Sequence, residues 1–431
     1  MASIVQNLSL TMPTEADQHN PAGRVAWLDL TDLLEFFRQN NTVTGIQRVV
    51  SMIVLALNST SQGAVADKLS VRLCTYDFTA GCYRALDVDR TRDALSLILA
   101  GRLDGSRVED KIESAADFCP GDVFLVLGAF WFDPSYCQII VRACVESGLQ
   151  LAIMCHDLIP MRQPDWYPAG YPTELSAIWD TAFQHARLIL TNSRYTAQDV
   201  EDYCRSRGLP INSIQPVRLG DEFFNSSTNA DRVKGRIRPY VEQGFVLTVG
   251  SVGLRKNQIL LLRVWERLFK KYGKSTPYLV VIGKFVGPYN VDEHALSAKS
   301  SEGRIVHLED VTDEELAAFY QASTFTVFPS LAEGWGLPVA ESLSMGKLCL
   351  ASTAMAIPEV GGNLVEYFDP TDLEECYRKI ELYLLDPELR ARAEERIRSG
   401  FHATSWRQCV AQLQNILGDV AVAKRSSFAV I

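Results

Sequence analysis

The chain has 431 residues, 47% hydrophobic and 22% charged side chains and a net charge of −10. At roughly 150 residues per domain this length holds two or three separately cored domains. The composition excludes disorder and a collagen-like repeat, and the acidic balance excludes a broad basic surface for nucleic acid or anionic lipid. Ten cysteines without a C-x-x-C pair read as reduced, mostly buried thiols rather than a disulfide framework or a zinc site. No apolar run reaches the roughly 18 residues of a membrane span, and the first residues lack the order of a secretory signal. The expected compartment is therefore the cytoplasm.

Residues 1–22 are polar and aperiodic and read as a flexible N-terminal arm. From 23 to 225 short apolar stretches, RVAWLDL, VFLVLG, LAIMC and RLILTNS, alternate with helical patterns such as TGIQRVVSMIVLALN. This alternation predicts an α/β domain with a parallel sheet covered on both faces. Residues 226–242 are polar and charged without a strong apolar period and read as a linker. A second alternating series spans 243–400, with FVLTVG, YLVVIG, RIVHL, FTVFPS and LCLAS as strands, and Thr312 with Glu315 as a capping box. The segment 401–431 predicts a C-terminal helix that packs back on the first domain. Two Rossmann-like halves place a ligand cleft between them, at the carboxyl ends of the strands.

The stretch FPSLAEGWGLPVAESLSMGKLCLAS is the richest in chemistry. A strand ends at Ser330, a glycine-bearing loop follows, Pro338 opens a helix and Gly346 closes it. Amides at such a helix start suit a nucleotide phosphate, and Glu333 and Glu341 are carboxylates able to accept from sugar hydroxyls on either side of it. In VGSVGLRKN, Gly250 and Gly253 are read as a tight turn, with Arg255 and Lys256 placed to meet a diphosphate. MCHDLIP puts His156 and Asp157 at a strand end, and Gly45 sits in the first strand-to-helix turn with Arg48 behind it. Asp87-Val88-Asp89 is a D-x-D that would serve a metal-dependent transferase of another architecture, although a surface turn explains it as well.

Together these stretches resemble the retaining glycosyltransferases of family 4, which have the GT-B fold. The carrying residues are the E-(x)7-E pair Glu333 and Glu341 within E-G-W-G-L-P-V-A-E, with Arg255-Lys256-Asn257, His156-Asp157 and Pro358 to Gly362 in support. The motifs look most like bacterial mannosyltransferases of polysaccharide assembly that use GDP-mannose. The resemblance implies that Arg255 and Lys256 hold the donor diphosphate, Glu341 the ribose, and Glu333 with the Gly334, Trp335, Gly336 and Leu337 backbone the donor sugar. It implies His156 near the anomeric carbon, Gly45 in a loop closing over the phosphates, and Gly250 and Ser251 along the donor. Ser251 stands where some relatives carry another arginine. The expected activity is metal-independent transfer of a hexose, with no cofactor, to a glycan or lipid-linked saccharide, with peripheral contact at the inner face of the cell membrane. A sugar-nucleotide epimerase and a non-enzymatic nucleotide-sugar sensor are the rival readings on the same scaffold.

Overall fold

A computed structural model describes residues 25–40, 45–57, 69–100, 112–222, 230–285 and 303–422. The arm expected over residues 1–22 lies outside them. The described residues form two α/β domains, each on one sheet. Strands of the first sheet are β1 (Val25–Asp29), β2 (Ser70–Asp77), β3 (Cys82–Leu86), β4 (Ile112–Ala115), β5 (Val123–Val126), β6 (Gln150–Cys155), β7 (Leu188–Thr191) and β8 (Ser213–Pro216). They lie in the order β4-β3-β2-β1-β5-β6-β7-β8. In the second sheet β9 (Phe245–Val249), β10 (Tyr278–Ile282), β11 (Ile305–Leu308), β12 (Phe325–Phe328), β13 (Cys349–Ser352) and β14 (Glu366–Phe368) lie in the order β11-β10-β9-β12-β13-β14.

All pairs of the second sheet are parallel. Strands β5, β7, β12 and β13 are buried along their whole length, which is why each reads as an unbroken apolar run. The first sheet departs from the wholly parallel expectation. Strand β3 runs antiparallel to both β2 and β4. Strands β2 and β3 bury fewer of their residues, so their sequence lacks the apolar run by which the central strands are found. Gly81, at φ +68°, makes the turn between β2 and β3.

The order of each sheet reverses at its middle, beside β1 in the first and β9 in the second. Such a reversal opens a crevice at the strand ends because the flanking loops leave in opposite directions. It sets the loop after β9 beside the loop after β12, and the two sheets present their loop ends to one cavity.

The segment read as a linker is largely helical, from Ala230 to Val241, in spite of Pro239. Ile237 is buried among Phe245, Leu247 and Phe319 of the second domain, and Arg236 donates to Glu315 at 3.0 Å. The C-terminal helix Trp406–Val422 lies on the first-domain helix Gly45–Ala56 and buries Cys409, Leu413 and Leu417. Trp406 Nε1 donates to Glu222 O at 3.0 Å, and Asp221 N to Thr404 O at 2.9 Å. All ten cysteines are free and most are buried.

Leu417 is fully buried and Leu385 is 62% exposed. Leu417→Ala is therefore expected to destabilise the protein by about 2–5 kcal/mol, and Leu385→Ala by no more than about 0.5 kcal/mol. Urea unfolding followed by tryptophan fluorescence measures both, and equal effects would overturn the packing of the C-terminal helix described here.

Candidate active site

The loop after β9 begins at Gly250, whose φ of +140° favours glycine. Opposite it a Cβ on Gly283 would lie 2.1 Å from the Gly250 carbonyl oxygen, so the ends of β9 and β10 pass only because Gly283 lacks one. Gly253, read from the sequence as part of a tight turn, is instead extended at φ 176°, a conformation open to any residue. The turn follows at Leu254–Lys256. It is fixed by Asn257, in the left-handed region at φ +57°, whose Nδ2 donates to Pro329 O at 3.1 Å and Pro370 O at 2.9 Å.

This turn aims Arg255 and Lys256 at the loop after β12. Arg255 Nη1 lies 2.8 Å from Glu333 Oε2 and 2.9 Å from Ala332 O, and Lys256 Nζ lies 2.6 Å from Glu333 Oε1. Glu333 is only 6% exposed. Burial pushes its carboxyl up, but the two cations overcome that and hold it at about 2, against an ordinary 4.5. Burial lowers the Lys256 ammonium, and Glu333 opposes that fall.

Gly336 at φ +138° caps the helix Leu337–Ser344, with Pro338 in its first turn, and Gly346 at φ +67° follows it. The positive end of this helix opens into the cavity. One turn inside, Glu341 is buried, and its Oε2 accepts from Tyr320 Oη at 2.8 Å. Its Oε1 lies 3.5 Å from Arg48 Nη2, while Arg48 Nη1 donates to Asp313 Oδ1 at 2.9 Å. Burial raises the Glu341 carboxyl, with Arg48 and Tyr320 opposing the rise. Asp313 and Tyr320 were not singled out by sequence reasoning. The one local signal near them is the capping box Thr312–Glu315, present here with both arms.

In the first domain His156 follows β6. Its Nε2 lies 2.8 Å from Leu127 O, and a carbonyl can only accept, so Nε2 carries the proton and Nδ1 is left as an acceptor. Burial lowers its pKa, so the ring is neutral at pH 7. Gly45 opens its helix at φ +51°. Trp335 lies beneath the Arg218 guanidinium, 4.5 Å from ring centroid to Cζ.

Gly334 carries the domain contact. A Cβ there would lie 1.9 Å from His156 O, and its own carbonyl accepts from Thr196 Oγ1 at 3.1 Å. Glu359 of the P-E-V-G-G run accepts from the amides of Arg194, at 2.9 Å, and Tyr195, at 3.2 Å, at the start of the first-domain helix Arg194–Arg207.

The resulting cavity of about 410 Å³ lies between the domains, and every residue to which the resemblance gives a part in holding or reacting the donor lines it, Gly45, His156 and Ser251 included, whereas Gly253, Asn257 and the Pro358 to Gly362 run do not. Asp87 and Asp89 do not line it. Asp87 caps the helix Val88–Leu99 by accepting from Arg90 N at 2.6 Å, and Asp89 faces Arg92 at 3.5 Å. Among the described residues no group of three or more His, Cys, Asp or Glu is arranged around a metal site, and no helix is long and apolar enough to cross a membrane.

Because Glu333 is held at about 2 in the folded protein, its linkage contribution to stability is present above about pH 4.5 and lost as pH falls through about 2. Glu333→Gln should thus cost most at neutral pH, with the gap to the parent narrowing below pH 4.5. Unfolding midpoints measured from pH 7 to 2.5 check this. A gap independent of pH would refute the Arg255–Glu333–Lys256 cluster.

Residues 230–400 match the family described as Glycosyl transferases group 1. The serotype-specific mannosyltransferase WbdA of Escherichia coli is 30% identical over 253 residues, which is 56% of this chain and 30% of that protein. The O-antigen chain mannosyltransferase B of Escherichia coli is 27% identical over 266 residues, 60% of this chain and 68% of that one. The chain thus spans under a third of the WbdA relative's length. Among solved structures, sucrose-phosphate synthase from Thermosynechococcus elongatus superposes with a TM-score of 0.61 at 16% identity, covering 92% of this chain and 99% of that one. Anabaena HepE with UDP and glucose does so with a TM-score of 0.57 at 14% identity, over 91% and 99%. The chain therefore has the two-domain GT-B fold, and its second domain matches the glycosyl transferases group 1 family.

Proposed function

We propose that the protein is a retaining glycosyltransferase that moves a hexose, mannose by preference, from a nucleoside-diphosphate sugar to a saccharide or lipid-linked saccharide, without a metal ion. GDP-mannose is the favoured donor. The observation that carries the reading is the convergence of Arg255, Lys256 and Glu333 with a helix N-terminus and Glu341 in one cavity between two domains. The mannosyltransferase names of the two Escherichia coli relatives favour mannose.

In this reading the diphosphate lies against Arg255, Lys256 and the start of the helix Leu337–Ser344, sharing the two cations with Glu333. Positive charge already in place there stabilises the leaving group as its bond to the anomeric carbon breaks. Glu333 accepts from the sugar hydroxyls and Glu341 from the ribose. Neither carboxylate is placed as a nucleophile, since both belong to one loop-helix unit and Glu333 is neutralised by two cations. Both therefore differ from the paired carboxylates across a scissile bond that double displacement requires. The acceptor oxygen bonds to the anomeric carbon on the face the diphosphate leaves, and its proton passes to a diphosphate oxygen. Neutral His156, anchored by Leu127, borders the first-domain side of this reaction centre. Closing the domains over the donor excludes water.

Transfer from GDP-mannose to a saccharide acceptor is expected to survive EDTA, because Arg255, Lys256 and the helix supply the field a metal would otherwise give. Complete loss on chelation with rescue by Mn²⁺ would overturn metal independence. Release of an epimerised sugar nucleotide from donor alone would favour the epimerase.

The two glutamates should separate by role. Glu341→Gln is expected to weaken GDP and GDP-mannose alike, by about tenfold or more for a lost charge-assisted contact. Glu333→Gln should leave GDP affinity intact or tighter, since it releases two cations, while lowering kcat by ~10²-fold, the scale of a lost transition-state contact. Calorimetry with single-turnover transfer reads both. Unchanged transfer in both variants would refute the assignment.

A further inference from the structure

Immediately after His156 and Asp157 the chain makes a short helix, Ile159–Arg162, and a tight turn, Pro164–Trp166. Two tyrosines then stack. The Tyr167 and Tyr171 rings lie 5.8 Å apart, centroid to centroid, with only 24° between their planes. Gly170, at φ +92°, bends the backbone between them, a conformation that favours glycine. Neither ring joins a hydrophobic core cluster, and Tyr171 is 37% exposed. A stacked aromatic pair outside the core and partly in water gains less for stability than the same rings buried.

Its position is specific. The Tyr167 phenol feels the charges of Arg255 and Glu333 from the second domain and of Asp157 from its own, and Tyr171 also feels Asp157. Asp157 in turn acts on Arg255 and Lys256. Asp157 lines the cavity together with Arg255 and Lys256, and the ring pair follows it in the same first-domain segment, within reach of those charges and outside the residues that line the cavity. Asp157 Oδ1 accepts from Ile159 N at 3.1 Å, which fixes the carboxylate at the start of the segment that carries both rings. An aromatic face is electron-rich, so it attracts the polarised C–H face of a pyranose, while a carboxylate accepts from its hydroxyls. Rigid rings also bind with little loss of side-chain freedom.

We propose that Tyr167 and Tyr171 form the acceptor platform of this enzyme, stacking the terminal pyranose of a saccharide with Asp157 holding a hydroxyl at its inner end. This rests on the glycosyltransferase reading above and adds to it the residues that choose the second substrate. The platform explains why the ring pair follows Asp157 outside the core, and why glycine separates the rings.

Saturation-transfer NMR on the full chain, with methyl α-mannoside and a linear mannose disaccharide as probes and GDP titrated into the same samples, tests the proposal. The disaccharide's ring protons are expected to receive saturation in the parent. Tyr171→Ala should weaken disaccharide binding by about tenfold, the size of one lost aromatic contact, and Tyr171→Phe should keep it. GDP affinity should stay at the parent value in both. No disaccharide binding by the parent, or equal binding by a Tyr167→Ala/Tyr171→Ala double variant, would overturn the platform. Failure of GDP to bind the parent would overturn the donor reading instead, and the sugar titration would still decide the platform.

Discussion

The contact between Gly334 and the His156 carbonyl governs how the two domains meet. No side chain fits at position 334, where a Cβ would lie 1.9 Å from that oxygen, so glycine is what allows the loop after β12 to reach the end of β6. Around this contact the domains are fastened by hydrogen bonds that use backbone on one side, Thr196 on Gly334 and Arg194 with Tyr195 on Glu359. A backbone partner fixes position without demanding a matching side chain. The interface can therefore hold its shape while the side chains facing the cavity are reserved for chemistry.

Those side chains form two buried charge groups on either side of one helix start. Arg255 and Lys256 share Glu333, while Arg48 shares Asp313 and Glu341. Buried ion pairs rarely stabilise a protein more than apolar residues of the same size would, because both charges lose their water. Their value in this fold is placement. A cation held by a buried carboxylate is already oriented for an anion that enters the cavity, so little reorganisation is left. The second group differs because Arg48 belongs to the first domain and its partners to the second, which ties the charge around Glu341 to the way the domains meet.

The two sheets reach the same solution at their centres. Reversal of strand order beside β9 sets the Arg255–Lys256 turn next to the Glu333 loop, and a backbone bond from Leu331 N to Arg255 O, at 2.8 Å, stitches the loops together. The site is thus built on strand ends, whose own positions are fixed by apolar burial on both faces.

Much of the second-domain side of the cavity was legible in the amino-acid sequence. The buried strands, the glycine-bearing loop between Ser330 and Pro338, the helix stop at Gly346 and the Thr312–Glu315 box are local, because each depends on residues within a few positions of one another. Elements with weaker local pattern were not legible. Strand β3 buries only two of its five residues, and the helix Ala230–Val241 carries Gly235 and Pro239 among charged residues, so neither shows a clean apolar period. Tertiary structure alone decided that Arg48 meets a carboxylate 265 residues away and that Glu359 caps a helix of the other domain. Sequence determined which residues bring charge, hydrogen-bonding groups and backbone freedom, since these belong to the residue itself. Which of them share one cavity was set by the packing of two sheets, because a contact between distant positions leaves no periodic trace along the chain.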